Sequence, residues 1–291
     1  MMPAKVKSPT LTIALIMIKK VLKKIIISLR LQQTAYFFFN LYAAIFRFQT
    51  VSRNNILYHL DLKEAVDRAI FLMGWEPLTI NWLHDNLNKG DIVIEVGANI
   101  GAHSLIISKI ISPEGQLFCF EPTDYAYEKL NKNFNSNPHL KQNTRLIKSF
   151  VSDKERSKKS YKIRSSWIVN KTANLADTMD EDFYGEIINL DDFFIDLPKL
   201  NLIKIDVDGF DFKVLQGATE IIKLFKPIVF VELSELDLNR NQDSVIDIVD
   251  LFSNMGYSGI LENGEPIVSA EQLLITLKGV THSNGIFTYD G

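Results

Sequence analysis

The sequence predicts an α/β fold, a mostly parallel seven-stranded sheet with helices on both faces, preceded by an N-terminal helical appendage. Short apolar runs recur along the chain, and four of them end in or beside a carboxylate: residues 92–96, 116–121, 201–207 and 227–232. Runs of this length are typical of parallel strands that are buried on both faces. Segments with helical periodicity separate them, as in a doubly wound sheet.

The charge of the chain is unevenly distributed. Residues 1–60 contain nine basic and no acidic residues, and the whole chain contains 32 basic and 35 acidic ones, so residues 61–291 carry a net charge of −12. We therefore predict a basic, apolar helical appendage, residues 1–60, followed by an acidic α/β domain, residues 61–291. Such a domain disfavours a nucleic-acid substrate, because contacts to phosphates need Lys and Arg.

The appendage has the pattern of an amphipathic helix. At about 100° per residue, five basic side chains share one face opposite Ile, Leu and Val: Lys19, Lys20, Lys23, Lys24 and Arg30. No apolar run reaches the roughly 20 residues that span a bilayer. With the aromatic segment 36–48, this predicts that residues 11–48 lie on an anionic membrane surface without crossing it. A helical hairpin packed on protein and an organelle-targeting peptide are the alternatives.

The cysteine content bears on the compartment. Cys119 is the single cysteine of the chain, and it lies within an apolar run. No disulfide can form within the chain, which fits a reducing environment. The sequence therefore predicts a cytoplasmic protein that binds the periphery of a membrane.

The turn after the first predicted strand is the most informative stretch. The strand contains Glu95 and leads through Gly97, Asn99 and Gly101 into an apolar helical segment. A ligand can approach bare backbone at such a turn, beyond the carboxyl end of a strand. The dinucleotide pattern G-x-G-x-x-G fails, because Asn99 and Ala102 stand where glycines are required. A carboxylate repels phosphate and attracts an ammonium group, which favours S-adenosylmethionine over a nicotinamide dinucleotide.

A second carboxylate, Glu121, ends the next predicted strand. An acidic residue at this position can accept hydrogen bonds from both ribose hydroxyls of an adenosine. The alternative is that Glu121, Thr123 or Asp124 caps the following helix, predicted at 125–134. Two strand-end carboxylates on either side of a Gly-Asn-Gly turn favour the adenosyl interpretation.

Four blocks of the sequence together resemble the FkbM-type methyltransferases, a family of class I S-adenosylmethionine-dependent enzymes. In the family's order and spacing, within residues 74–233, they read EVGANIGAHS, FCFEPTDYAYEKLNKNF, LIKIDVDGFDFKVLQGA and KPIVFVEL. The resemblance implies a Rossmann-like fold and O-methylation of a hydroxyl, often on a sugar or a polyketide-type molecule. The acidic positions of the third block, most often Glu in the family, are Asp208 and Asp211 here.

The resemblance implies two further cofactor contacts. A Glu-Pro pair upstream of the first strand is common in the family, so Glu76 is expected at the amino-acid end of the cofactor; alternatively it is a first-turn acid favoured by the helix dipole. Asp153, at the end of the third predicted strand, 144–151, falls where class I methyltransferases contact the adenine. The predicted cofactor-binding residues are Glu76, Glu95, Gly97, Asn99, Gly101, Glu121 and Asp153.

The end of the fourth predicted strand holds the predicted chemistry. Asp206 and Asp208 share one side of an extended chain, because side chains alternate along a strand. A hydroxyl becomes a good nucleophile when a base takes its proton, and neighbouring carboxylates raise each other's pKa. We predict Asp206 and Asp208 as catalytic residues and Asp211 as the cap of helix 212–224. A divalent metal bridging these acids with Glu232 stays open, but no spaced motif requires one and no metal ligand is predicted.

Acceptor recognition is predicted between the third and fourth strands. Residues 154–170 alternate in polarity, which indicates a hairpin or an inserted strand, and residues 171–183 form the least regular stretch. Loops held by a rigid scaffold carry specificity. These loops, together with Trp167, are therefore expected to bind the acceptor.

The C-terminal part is predicted to complete the sheet. An amphipathic helix, 244–255, is followed by strands 257–261 and 285–289, which are expected to be antiparallel because only a loop-rich connection joins them. The five histidines have no metal-ligand spacing. His103, close to the glycine turn, is expected to be a hydrogen-bonded residue on a helix face.

The sequence therefore predicts methyl transfer from S-adenosylmethionine to a hydroxyl of a small molecule or sugar, including glycan and glycolipid precursors. The alternative is a catalytically silent scaffold or membrane-tethered binding module with the same fold. The intact turn and the carboxylates around Asp206 argue against that alternative. A nicotinamide-dependent dehydrogenase is disfavoured by the failed glycine pattern.

Overall fold

The computed structural model describes residue 34 and residues 36–153, 160–164, 180–279 and 283–291. The chain divides into two compact units, residues 1–49 and 50–291. In the first unit, residues 36–45 are helical, whereas the basic helix predicted before them lies outside the described residues. The domain boundary predicted after residue 60 rests on charge and stays a prediction.

The strands of the described chain are numbered in chain order. They are β1 Phe48–Arg53, β2 Ile56–Asp61, β3 Ile92–Val96, β4 Gln116–Phe120, β5 Thr144–Ile147, β6 Phe150–Val151, β7 Ser160–Arg164, β8 Asp180–Tyr184, β9 Ile187–Ile188, β10 Leu202–Ile205, β11 Ile228–Leu233, β12 Tyr257–Leu261, β13 Pro266–Ile267 and β14 Ser283–Tyr289.

An eight-stranded sheet forms the centre of the second unit, in the order β13-β12-β14-β11-β10-β3-β4-β5. Neighbours from β5 to β11 are parallel, and β14 lies antiparallel between β11 and β12. The predicted mostly parallel, seven-stranded sheet is confirmed, with the two-residue β13 as an eighth strand. The chain builds outward from β3 in both directions, so β3 and β10 flank the point where ligands bind in open sheets.

Helices connect these strands. They span Ala65–Leu72, Pro77–Asn86, Ser104–Ile111, Asp124–Asn135, Pro138–Lys141, Leu190–Phe193, Asp211–Gln216, Thr219–Phe225, Glu235–Leu238, Val245–Asn254 and Ala270–Thr276. Side chains of successive strand positions enter separate apolar clusters: Val93 and Leu202 pack in one, Ile94 and Ile203 in the other. Both faces of the sheet are therefore buried, which explains why the strands are apolar throughout.

The third predicted strand, 144–151, is wrong as a single element. β5 belongs to the main sheet, whereas β6 pairs in parallel with β9 in a separate two-stranded sheet. Lys148 and Ser149 separate the two strands. The backbone N–H groups of Phe150 and Ser152 donate to the carbonyls of Glu186 and Ile188, and the side chain of Phe150 packs edge-on against Phe210, with ring centroids 5.0 Å apart.

The single helix predicted at 212–224 is also wrong. The chain forms helices Asp211–Gln216 and Thr219–Phe225 instead. Gly217 lies between them, and a Cβ at that position would come within 2.3 Å of the carbonyl oxygen of Ser152. Packing against a distant loop thus breaks a helix that local periodicity made continuous.

Other elements extend or correct the predictions. β2 ends at Asp61, and the helices Ala65–Leu72 and Pro77–Asn86 follow it as separate elements. β7 lies in the segment 154–170, where a hairpin or an inserted strand was predicted, but its antiparallel partner β8 lies at 180–184, in and just after the stretch predicted to be the least regular. The helix Ala270–Thr276 occupies a connection predicted to be a loop. The part of the acceptor loop at 171–179, with Trp167, lies outside the described residues.

Candidate active site

The glycine turn follows β3 and lies against the end of β10. Gly97 has φ +88°, and a Cβ there would lie 1.8 Å from the carbonyl oxygen of Asp206. The N–H groups of Gly97 and Ala98 both donate to the carbonyl of Phe120 at 3.0 Å. A side chain is therefore excluded at Gly97, and the turn fixes the ends of three strands relative to one another.

Glu121 connects this turn to the next one. Its Oε2 accepts a hydrogen bond from the Asn99 N–H at 2.9 Å, and its Oε1 accepts from the N–H and hydroxyl of Thr123 at 3.0 and 2.6 Å. Asn99 has φ +48°, and its buried Oδ1 has no hydrogen-bond partner among the described residues. A buried acceptor without a partner costs free energy, so Asn99 Oδ1 fits a donor from a bound ligand.

Glu95 is held differently from the sequence prediction, which aimed its carboxylate at the ligand. The side chain is 1% exposed, and its Oε2 accepts a hydrogen bond from the Ser104 hydroxyl at 2.5 Å. Burial raises the pKa of Glu95 to about 7. One oxygen thus faces the helix after the turn, and a ligand contact through the other stays a prediction.

Gly101 and Asp153 complete the predicted cofactor set. A Cβ on Gly101 would lie 2.8 Å from Cδ1 of Leu130, so this glycine allows close helix packing. Asp153 follows β6 and accepts a hydrogen bond from the Ser152 hydroxyl at 2.8 Å. Its adenine contact stays a prediction.

Glu76 lies beside a buried cluster at the end of β10. Its Oε2 is 3.4 Å from Nε2 of His103 and accepts a hydrogen bond from the Thr79 hydroxyl at 3.3 Å. Lys204 Nζ is 3.1 Å from Oδ2 of Asp206. Glu76 interacts electrostatically with Asp206 and Lys204, so the structure brings this distant Glu to the predicted catalytic strand.

The charges of this cluster depend on burial. Burial, followed by repulsion from Asp206, raises the pKa of Glu76 to about 7. Burial and the neighbouring Lys204 lower the pKa of His103 to about 3. Burial alone would lower the pKa of Lys204, but Asp206, Glu95 and Glu76 outweigh it and raise the pKa. His103 is therefore neutral and Lys204 is charged.

His103 was expected to be hydrogen-bonded, and this expectation is wrong for Nε2. The residue is 5% exposed, and Nε2 lies near Glu76 without hydrogen-bond geometry to any described residue.

Asp206 and Asp208 do not share one side of a strand, because β10 ends at Ile205 and Asp208 has φ +49°. The predicted geometry fails since the chain turns before Asp208. Asp211 accepts hydrogen bonds from the N–H groups of Val207 at 3.3 Å and Gly209 at 3.0 Å. It shapes this turn and does not cap the helix, which corrects its predicted role.

Two more acids face this turn. Burial, then repulsion from Asp206, raises the pKa of Asp211 to about 7. Burial and repulsion from Asp206, Asp211, Asp208 and Asp237 raise that of Glu232 to about 10. In the part of the chain that the structure describes, no group of His, Cys, Asp and Glu has the arrangement of a metal site.

Lys204 is the functional candidate that the sequence prediction missed. It is 1% exposed within β10. A signal was available, since a lysine inside the apolar run LIKI has to be buried if that run is a central strand.

The family model and the curated relative that match this chain both describe methyltransferases. A family model described as "Methyltransferase FkbM domain" matches residues 95–258, more than half of the chain. The curated hexuronic acid methyltransferase AglP of Haloferax volcanii is 26% identical over 168 residues, which are 55% of this chain and 63% of that protein. The chain thus matches less than two thirds of that relative.

Solved structures are similar at lower identity. The methyltransferase FkbM from Methylobacillus flagellatus has a TM-score of 0.44 and 14% identity, covering 70% of this chain and 44% of its own. An rRNA methylase from Streptococcus thermophilus has a TM-score of 0.43 and 11% identity, covering 73% of this chain and 94% of its own.

Proposed function

The chain belongs to the FkbM family of methyltransferases, and from this membership we propose that it transfers a methyl group from S-adenosylmethionine to a hydroxyl of a sugar or other small molecule. The observation that carries the proposal is the junction of Glu121 with Asn99. At the carboxyl ends of adjacent parallel strands, the backbone N–H of Asn99 donates to the buried Glu121 carboxylate, while the Asn99 amide oxygen has no partner among the described residues. This is where open sheets bind adenosine-containing ligands.

The hydrogen-bond acceptors and carboxylates of the site fit this cofactor. Glu121 would accept hydrogen bonds from the ribose hydroxyls, and Asp153 would contact the adenine. Glu76, together with Oε1 of Glu95, would attract the ammonium group of the amino-acid end. Gly97 and Gly101 would act indirectly, because they let the turn pack against Asp206 and Leu130 and so hold Asn99 in place. When bound, the cofactor supplies a methyl group made electrophilic by the positive sulfur.

Asp206 is the proposed base. Its side chain is 35% exposed, whereas its partner Lys204 is 2% exposed, so Asp206 is the member of that pair that an acceptor can reach. A carboxylate oxygen of Asp206 would take the hydroxyl proton as the acceptor oxygen bonds to the methyl carbon that the cofactor supplies, and the electron pair of the broken carbon–sulfur bond would remain on the leaving thioether. Asp208 stays a second candidate on the same turn.

A sugar acceptor is supported by the relative named for hexuronic acid. The net charge of −12 over residues 61–291 supports the prediction that the acceptor is not a nucleic acid. The methylated group is proposed to be a hydroxyl because Asp206 offers a base, and a carboxylate acceptor would need none.

Replacement of Glu121 by Ala is expected to weaken S-adenosylhomocysteine binding by at least roughly tenfold, because hydrogen bonds to a charged group contribute about 1.5–3 kcal/mol. Isothermal titration calorimetry measures the affinity, and thermal unfolding shows whether the variant is folded. The matched control is Glu114→Ala, an exposed Glu before β4, at the opposite end of that strand. Absence of heat with the wild-type protein, or unchanged affinity in Glu121→Ala, would refute the proposed site.

The appendage is proposed to hold the enzyme at an anionic membrane surface. Large apolar side chains between residues 36 and 48 are 37–72% exposed: Tyr36, Phe37, Phe38, Leu41, Tyr42, Ile45, Phe46 and Phe48. Contiguous exposed apolar groups mark interaction surfaces, and the basic, acid-free composition of residues 1–60 favours anionic lipid as the partner. Within the described residues, no helix has the length and apolar character to cross a bilayer.

Sedimentation with vesicles tests this attachment. The protein is expected to bind phosphatidylcholine vesicles containing phosphatidylserine, to bind pure phosphatidylcholine weakly, and to be released by salt, since each basic residue contributes about 1 kcal/mol. Phe37→Ser with Phe38→Ser should reduce binding, whereas Ile195→Ser with Val268→Ser, two exposed apolar residues of the second unit, should not. Binding that ignores lipid charge and salt, or no binding, contradicts the proposal.

A further inference from the structure

Lys204 is an ammonium group inside the central sheet. It lies on β10 in register with Glu95 of β3 on one side and Phe230 of β11 on the other. The residue is 1% exposed. Desolvation of an ammonium group is unfavourable unless carboxylates are close. Its position therefore depends on the acids that face it, namely Asp206 at 3.1 Å, Glu95 and Glu76.

The acids around Asp206 hold their protons to unusually high pH. Burial is the leading cause, and it raises the pKa of Glu76, Glu95 and Asp211 to about 7 and that of Glu232 to about 10. Repulsion by Asp206 adds to each of these shifts. A base in such a cluster needs a partner that favours its ionised form.

The other described basic side chains near this cluster are either neutral or paired with other acids. His103 is buried and neutral. Lys213 pairs with Asp243 at 2.9 Å, and Arg240 pairs with Asp237 at 2.5 Å. Lys204 contacts the Asp206 carboxylate at 3.1 Å.

We propose that Lys204 is a positioning residue that holds the Asp206 carboxylate in place and keeps it ionised. The inference rests on the proposed function, because it assumes that Asp206 is the base. Lys204 acts through Asp206 and does not itself touch the acceptor. Asp206 directly follows β10, and its Oδ2 lies 3.1 Å from Lys204 Nζ, so the ion pair fixes the carboxylate.

The titration of Asp206 tests the proposal without any acceptor. Protein labelled with ¹³C at aspartate Cγ is titrated by NMR, and the Asp206 signal is assigned by its loss in Asp206→Asn. In Lys204→Met, the midpoint of Asp206 is expected to rise by roughly 1–3 pH units, the effect of one close opposite charge. Lys213→Met, which removes a Lys–Asp pair outside the cluster, should leave the titration midpoint of Asp206 unchanged.

A rate measurement adds the catalytic readout. The rate of transfer of tritiated methyl from S-adenosylmethionine to a total glycan extract should decrease as the pH is lowered through the pKa of Asp206. In Lys204→Met this decrease should occur at a pH that is higher by the same interval as the NMR midpoint. Above that pH the rate of the variant should recover. A residue with a merely structural role would lower the rate at every pH and leave the pH of this decrease unchanged.

The outcomes are distinct. If Lys204→Met does not fold, Lys204→Gln, which keeps a hydrogen-bond donor without the charge, gives the same titration. An unmoved Asp206 midpoint in a folded variant overturns the inference. If the wild-type protein fails to bind S-adenosylhomocysteine, the proposed function fails, while the titration still decides whether Lys204 controls the charge of Asp206.

Discussion

Replacement of Asp206 by Asn is expected to lower methyl transfer by roughly 10²–10⁴-fold, the usual contribution of a general base. The amide has nearly the volume of the carboxylate but cannot take a proton. The contacts of Glu121 with the glycine turn are separate from this side chain, so affinity for S-adenosylhomocysteine should change little. The measurement is mass spectrometry of glycans from cells that carry the wild-type or variant protein, where the wild type adds the mass of one methyl group.

Asp208→Asn tests the second candidate base on the same turn. Asp208 has φ +49°, and Asn tolerates that backbone conformation better than most residues. The substitution should therefore leave the turn intact, so a change in activity would report on the carboxylate itself. Full transfer by Asp206→Asn would contradict the assignment of Asp206, and loss of transfer only in Asp208→Asn would move the role of base to Asp208. Loss in both variants would indicate that the two acids act together.

The central sheet could be predicted because each of its strands has a recognisable pattern in its own short stretch of sequence. Strands such as β3 and β11 are continuous apolar runs, and their order follows from the connection rules of parallel sheets. The glycine turn was equally local, since Gly97 and Asn99 need backbone conformations with positive φ. Local signals therefore located the ends of the strands and the predicted cofactor turn.

The rest depends on contacts between distant parts of the chain. Glu76 precedes β3 and His103 follows it, so their contact joins segments that are distant in sequence. Nothing in the residue type of either one predicts this contact. The break at Gly217 reflects packing against Ser152, and the turn at Asp208 ends an alternation that the sequence alone extended by three residues beyond Ile205. Such contacts follow from the tertiary fold and could be found only with it.

Gly97→Ala is expected to destabilise the protein by roughly 2–5 kcal/mol. A residue with a Cβ pays roughly 1–2 kcal/mol in the left-handed region, and forcing an atom into packed structure costs typically 1–3 kcal/mol more. The added Cβ would lie 1.8 Å from the Asp206 carbonyl oxygen, so β3 and β10 would have to separate. Urea unfolding gives the change in free energy.

Gly264→Ala separates the two costs of this substitution. Gly264 has φ +89°, close to the +88° of Gly97, but a Cβ there meets no atom within 4 Å. It should therefore lose only the backbone contribution, about 1–2 kcal/mol, and keep S-adenosylhomocysteine binding, whereas Gly97→Ala should lose both stability and binding. Equal destabilisation of the two variants would mean that the contact between Gly97 and the Asp206 carbonyl does not constrain the turn. The position of the proposed base relative to the cofactor turn would then not depend on this backbone contact.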